Sequence, residues 1–174
     1  MIKIGITGGI GTGKTYIARH FQALGVPLFD ADNEAKKLYE EPSVMDWFKE
    51  NFGNDLFTGN LLDFGKLRSL IFSSKEARDK IEEFIHPLVI ERFEQWAILQ
   101  TTPSVMMESA IIYEAHLEHL FDKIIVVDAP LAVRIERIRK RNPNLTQSAI
   151  EQIIAGQMSQ EDKCARADWV IWNG

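Results

Sequence analysis

Apolar and polar positions alternate in a way that divides the chain into recognisable elements. Ile2, Ile4 and Ile6 lie in a nearly continuous β-prone run ending at Thr7, the pattern of a central parallel strand covered on both faces. Beyond a glycine-rich interval, Ile17, Ala18, Phe21 and Leu24 recur at helical spacing. Gly25 occupies the position of a helix C-terminal glycine, and Pro27 prevents continuation. Val26 to Phe29 then predicts a short second strand running into Asp30-Ala31-Asp32. Strand, helix and strand in succession predict a parallel sheet with helices on both faces and right-handed crossovers.

From Ala31 to about Phe72 the pattern turns polar and helical, interrupted by Pro42, Gly53, Gly59 and Gly65. Ser73 or Ser74 is suited to cap a long helix with Glu76 near its first turn. The apolar row Ile81, Phe84, Ile85, Leu88, Val89, Phe93 and Trp96 passes through His86-Pro87. Pro87 removes one intrahelical hydrogen bond, which predicts a kink or a new helix there. Residues 31–102 are too many for one crossover and predict a helical insertion beside the sheet. After Pro103, Val105-Met106-Met107 reads as a buried strand delivering Glu108, with Ser109 to Glu114 following it. Lys123 to Val127 predicts a strand ending at Asp128, and Ala132 to Arg141 a helix broken by Asn142-Pro143-Asn144. Thr146 can cap a further helix to about Met158, and Trp169-Val170-Ile171-Trp172 makes the fifth strand. Trp47, Trp96, Trp169 and Trp172 read as core residues rather than cofactor stackers.

The interval after the first strand is Gly8-Gly9-Ile10-Gly11-Thr12-Gly13-Lys14-Thr15, which fits G-x-x-x-x-G-K-[ST], the phosphate-binding P-loop. Glycines let the backbone wrap an anion, because residues without a Cβ take positive φ and leave no side chain in the way. The N–H groups of Gly9, Gly11, Thr12, Gly13, Lys14, Thr15 and Tyr16 form the expected cradle for ATP, and the following helix adds its positive end. Lys14 would reach the β- and γ-phosphates, and the Thr15 hydroxyl would sit on Mg²⁺.

Composition changes little of this. With 45% hydrophobic and 26% charged residues, the 174-residue chain suits one soluble domain carrying an insertion. A net charge of −5 argues against nucleic acid as the main partner. One cysteine, Cys164, excludes an intrachain disulfide and a multi-cysteine metal site. No leader-like stretch opens the sequence and no apolar run approaches a membrane span, so the expectation is a cytoplasmic protein without membrane contact. Protein partners are not indicated.

Ligands of open α/β sheets bind beyond the C-terminal strand ends, where the P-loop, Asp30, Asp32, Glu108 and Asp128 fall. Phosphoryl transfer needs a carboxylate to accept the nucleophile's proton and acidic groups near Mg²⁺. Asp32 is the candidate base, with Asp30 as the alternative base or the group that holds Asp32; either could instead cap the following helix. Glu108 could contact Mg²⁺ through water, or cap a helix. Arg134, Arg137 and Arg141 stand at i, i+3 and i+7, just before the Asn-Pro-Asn break. They suit either a mobile lid that brings guanidinium groups onto triphosphate or a solvated basic face. His86 taken alone reads as structural.

Taken together, these residues resemble the dephospho-CoA kinase family, P-loop kinases of the nucleoside-monophosphate-kinase-like class, over essentially the whole chain. The resemblance rests on the segment Thr7 to Thr15, Asp30-Ala31-Asp32, His86-Pro87, Glu114, Val127-Asp128, Arg137, Arg141, Gln157, Ala167-Asp168 and Asn173-Gly174. It implies a three-layer P-loop kinase fold: a five-stranded core over about 1–30, 103–135 and 165–174, a substrate-binding region over 31–102, and a lid over about 136–160. It implies transfer of the ATP γ-phosphoryl group to the ribose 3′-hydroxyl of dephospho-CoA. By matching position, Asp32 becomes the base, Asp30, His86 and Glu114 substrate-side residues, and Arg137 and Arg141 lid arginines. The chain departs from the family's usual pattern at Tyr16, at Arg134 and in lacking a proline within 109–114, and similar chains continue past Gly174. Competing readings are a nucleotide, nucleoside or shikimate-type kinase and a P-loop ATPase or switch, the latter disfavoured because no Asn-Lys-x-Asp motif occurs.

Overall fold

A computed structural model describes residues 1–174. The first strand, β1 (Ile2–Thr7), pairs in parallel with β5 (Ser104–Glu108) on one side and β6 (Lys123–Asp128) on the other. β2 (Leu28–Asp30) adds beyond β5, and β7 (Trp169–Trp172) beyond β6, both parallel. The sheet therefore has five strands in the order β2-β5-β1-β6-β7, the parallel α/β architecture expected from the sequence. Contacts divide the chain into a sheet region, Met1–Asp30 with Leu99–Gly174, and a helical region, Ala31–Ile98.

In the sheet region, α1 (Lys14–Ala23) turns Ala18 into a core of Ile6, Met106, Ile125 and Val127, with Ile17 and Phe21 packed beside them. Apolar residues from three neighbouring strands and one helix face thus meet, each buried aliphatic side chain contributing about 1.5–3 kcal/mol. Gly25, with φ 93°, ends α1 as expected, and its N–H bonds Gln22 O at 3.0 Å. Three helices follow β6: α6 (Leu131–Arg141), α7 (Gln147–Ala155) and α8 (Gln160–Arg166). Thr146 caps α7 by accepting from Ala149 N–H at 3.2 Å. That helix stops at Ala155 rather than near Met158, and α8 is an element the sequence pattern did not reveal. On β7 only Ile171 packs against the core; Trp169 and Trp172 are 53% and 65% exposed, which overturns their reading as core residues. β7 is the last strand of the sheet, with β6 as its one neighbour, so half of its surface lacks a strand to cover it.

The helical region contains α2 (Ala31–Leu38), α3 (Pro42–Phe52), α4 (Phe64–Ser73) and α5 (Lys75–Ile98). Pro42 stands at the start of α3, where its missing N–H costs nothing. Between α3 and α4 a small antiparallel pair forms, β3 (Phe57–Thr58) with β4 (Leu61–Leu62), turning at Gly59-Asn60. Gly59-Asn60 is a turn signal, but the two-residue strands beside it are too short to show a period-two pattern. Asp63 caps α4 by accepting from Gly65 and Lys66 N–H, and the bond from Lys66 N–H, with that from the Thr58 hydroxyl, holds its carboxyl below the usual range.

No new helix starts at Pro87: α5 is continuous from Lys75 to Ile98. Its buried row, Ala77, Ile81, Ile85, Val89, Phe93 and Ala97, repeats every four residues and carries the packing. Pro87 and Glu83, whose carbonyl loses its partner, both lie on the exposed side, where water can satisfy the carbonyl. Trp47 of α3 stacks on Phe84 of α5 at 4.0 Å and 4°. Arg92 of α5 pairs with Glu34 at 3.4 Å and with Glu41.

Candidate active site

The loop between β1 and α1 takes its shape from its glycines. Gly13, with φ 88°, is the N-cap of α1, and a Cβ there would lie 2.2 Å from Asn173 Nδ2. No other residue fits between the loop and that side chain. Thr12 is buried, and both its N–H and its hydroxyl bond Gly9 O, at 3.2 and 2.9 Å, closing the turn. α1 has no side-chain cap and no acidic residue in its first turn. Its first N–H groups and positive dipole end are therefore left for an anion.

In front of that helix end lies a cleft lined by Gly11, Gly13, Lys14, Thr15, Tyr16, Arg137, Ile138 and Arg141. Its lining holds three cations and no carboxylate, the arrangement for a polyanion such as a triphosphate. Tyr16 is 61% exposed at this cleft, its ring 4.4 Å from that of His20. The structure thus brings Gly11, Gly13, Lys14, Thr15, Tyr16, Arg137 and Arg141 around one opening, with Gly9 and Thr12 shaping the loop behind it.

The arginines of α6 do different work. Arg134 is buried, and its Nε donates to Ile10 O at 3.0 Å. Burial lowers its pKa against the opposing pull of Asp128, so the fold holds this charge at a cost. Arg137 Nη1 donates to Asn173 O at 2.8 Å and Thr12 O at 3.3 Å, joining the loop to the end of β7. Arg141 is exposed at the mouth of the cleft.

Glu108 and Asp30 end neighbouring strands and are register partners. The Thr15 hydroxyl donates to Glu108 Oε1 at 2.5 Å, so the loop's hydroxyl and a buried carboxylate share one spot. Nowhere are three or more His, Cys, Asp or Glu side chains gathered to hold a metal by themselves. Asp128 Oδ1 accepts from Ala129 N–H at 2.8 Å at the end of β6. Glu114 pairs with Lys163 at 2.8 Å and accepts from Met158 N–H at 3.0 Å.

The two remaining sequence candidates belong to the helical region. Asp32 is exposed in the first turn of α2, two residues past the end of β2. His86 is half-buried in α5; burial lowers its pKa, and nearby Glu82 opposes this.

Sequence reasoning missed the groups that grip the loop from behind. Asn173 Nδ2 donates to Thr12 O at 2.9 Å. Gln160 and Gln157 accept from Gly9 and Ile10 N–H at 2.6 and 2.8 Å. Gln157 and Asn173 carry the family resemblance without an implied role, and no local pattern singles out Gln160 or the fully buried Lys163.

The model of the dephospho-CoA kinase family matches residues 2–174. A dephospho-CoA kinase of Bacteroides fragilis strain YCH46 is 38% identical over 174 residues, covering 99% of this chain and 84% of that protein. A crystal structure of a protein from Thermus thermophilus superposes with TM-score 0.90 at 31% identity, covering 99% of this chain and 88% of that one. A dephospho-CoA kinase from Campylobacter jejuni superposes with TM-score 0.67 at 26% identity, covering 98% and 87% respectively.

Proposed function

This chain belongs to the dephospho-CoA kinase family and phosphorylates dephospho-CoA with ATP, and we propose that Asp32 is the base that readies the ribose 3′-hydroxyl for attack. The observation that carries the nucleotide half of this reading is the cleft whose lining combines Lys14, Arg137 and Arg141 with an uncapped helix N-terminus. Loop amides and Lys14 hold the triphosphate; Arg137 and Arg141 stabilise charge that develops on the transferred group. Arg141, exposed at the cleft mouth, is free to follow the phosphates, whereas Arg137 must exchange its bonds to Thr12 and Asn173 carbonyls to do so.

Mg²⁺ fits the oxygen donors beside the loop. Thr15 and Glu108 offer a hydroxyl and a carboxylate in mutual contact, hard ligands of the kind that hold this ion together with substrate phosphates. When bound it neutralises charge on the transferring phosphoryl group. The direct hydrogen bond between the two residues aims the hydroxyl proton at Glu108, at the end of β5, and leaves the oxygen's lone pairs as the donors for the ion.

On the acceptor side, Asp32 takes the proton from the ribose hydroxyl as the oxygen attacks phosphorus, and Asp30, His86 and Glu114 are the further substrate-side candidates. Asp32 is exposed, so a hydroxyl can approach its carboxylate directly. The reaction is assigned to the cytoplasm, in keeping with a chain in which no helix is long and apolar enough to cross a membrane.

The test is a coupled assay of ADP release with Mg·ATP and dephospho-CoA, with phosphorus NMR locating the new phosphate. Asp32→Asn should lower kcat by about 10²–10⁴-fold, the range of a lost general base, and leave the Kd for ATP within about twofold of wild type. Lys14→Ala should lose ATP binding itself. Turnover near wild type in Asp32→Asn assigns the proton to another acceptor and removes Asp32 from the mechanism.

A further inference from the structure

The segment joining α7 to α8 and the first residue of α8 make contacts that the reaction described above does not use. Gln160 Oε1 accepts from Gly9 N–H at 2.6 Å, and Gln157 Oε1 accepts from Ile10 N–H at 2.8 Å. These are the two loop residues directly after Gly8, so the rear of the phosphate loop ends on side-chain amides more than 140 residues away in sequence. Gln160 is itself fixed, because its Nε2 donates to Val127 O at 3.1 Å and to Asp128 Oδ1 at 2.9 Å. The approach is close. A Cβ on Gly9 would fall 3.0 Å from Gln160 Oε1 and 2.5 Å from Arg134 Nη2, so only a glycine lets both side chains reach the loop.

A second layer of bonds holds the segment in turn. Met158, between the two glutamines, donates its N–H to Glu114 Oε1 at 3.0 Å. Lys163, one turn beyond Gln160, pairs with Glu114 at 2.8 Å and donates to Ala110 O at 2.7 Å. Its side chain is fully buried, and burial lowers its pKa against the opposing effect of Glu114. A buried ion pair is a poor source of stability, because desolvating two charges offsets their attraction. It does define one geometry: the carboxylate and the ammonium are each tied to a main-chain group as well as to each other.

We propose that Glu114, Lys163, Gln157 and Gln160 are positioning residues that set the peptide planes of Gly9 and Ile10, so that the forward N–H groups and Lys14 stay aimed at the ATP triphosphate. The physical reason lies in the loop's composition. A glycine-rich loop has more conformations to lose than any other, and donors already oriented before the ligand arrives need no reorganisation when it binds. Glu114 acts here through Met158 and Lys163, to which its two oxygens are bonded. The proposal rests on the nucleotide reading of the loop and is independent of which carboxylate takes the proton.

The experiment measures the Kd for Mg·ATP by calorimetry with no acceptor present, together with the KM for dephospho-CoA and the Tm. It compares wild type, Gln160→Ala, Gln157→Ala and, as control, Gln152→Ala at an exposed glutamine of α7. The expected result is a Kd raised about tenfold in Gln160→Ala and about threefold in Gln157→Ala, the range for losing several or one neutral hydrogen bonds. The KM for dephospho-CoA, the Tm and the control should stay near wild type. An unchanged Kd in Gln160→Ala overturns the proposal. So does a joint loss of ATP affinity, acceptor affinity and Tm, which would mark general structural damage. If wild type itself binds no ATP, it is the nucleotide reading of the loop that fails.

Discussion

The sheet region and the helical region are each held together by different means. In the sheet region polar side chains reach across more than a hundred residues of sequence to bond the main chain of one loop: Gln160 to Gly9, Arg134 to Ile10, Asn173 to Thr12. In the helical region side chains pack on side chains. Trp47 stacks on Phe84, Tyr39 meets Phe48 and Phe64 edge-on, and Arg92 draws Glu34 and Glu41 to α5. A phosphate cradle is made of backbone amides, and these can be aimed only by whatever bonds the backbone. A helical layer without such a loop is held by shape and apolar area, which interlocking side chains supply, with ion pairs such as those of Arg92 added.

Substitutions in each region sharpen or break that contrast. Phe48→Ala removes a fully buried ring from α3 and should cost about 3–5 kcal/mol. Hydrogen exchange should show lost protection in α3 and α5 with β1 and β5 retained. Equal loss everywhere would mean that both regions unfold as one cooperative body.

Arg134→Met should produce the reverse pattern. The lost charged hydrogen bond to Ile10 O is worth about 1.5–3 kcal/mol, but removing a desolvated guanidinium offsets much of that. Tm should therefore shift by no more than a few degrees while the Kd for ATP rises severalfold. A sharp fall in Tm with unchanged ATP affinity would make Arg134 a packing residue only.

The smallest effect is expected from His86. Its pKa is lowered in the folded chain, chiefly by burial, so the unfolded chain binds more protons in the window below about 6.5. Stability is then complete above that pH and falls as pH drops toward the folded value, by at most about 1.4 kcal/mol per unit. Urea melts at pH 7.5 and 5 should show a shallower difference in His86→Gln than in wild type. The same difference in both would detach His86 from the acid sensitivity of the helical region.

Where the sequence reading succeeded, the cause was local. The Gly25 helix end, the Ser74 and Thr146 caps and the loop glycines each depend on residues within a few positions. Apart from the local hairpin at Gly59-Asn60, the failures depended on packing beyond the segment itself. Pro87 starts no new helix, because the buried row from Ala77 to Ala97 carries α5 past it. Trp169 and Trp172 have a strand-like pattern, but their exposure depends on β7 lying last in the sheet. Gln160 looks like any polar helix residue until the fold sets it against Gly9.

By itself, the amino-acid order determined that a strand, a glycine-rich anion loop and a helix occur in succession, and with them the phosphate chemistry. Spacing alone carries that information, since a P-loop is built from neighbouring peptide units. Which side chains hold the loop, which arginine is buried and which faces the cleft, and where Glu114 directs its oxygens were decided only by tertiary structure. Hydrogen bonds are short and directional, so partners separated by a hundred residues become partners only when the sheet has placed them within three ångströms of each other.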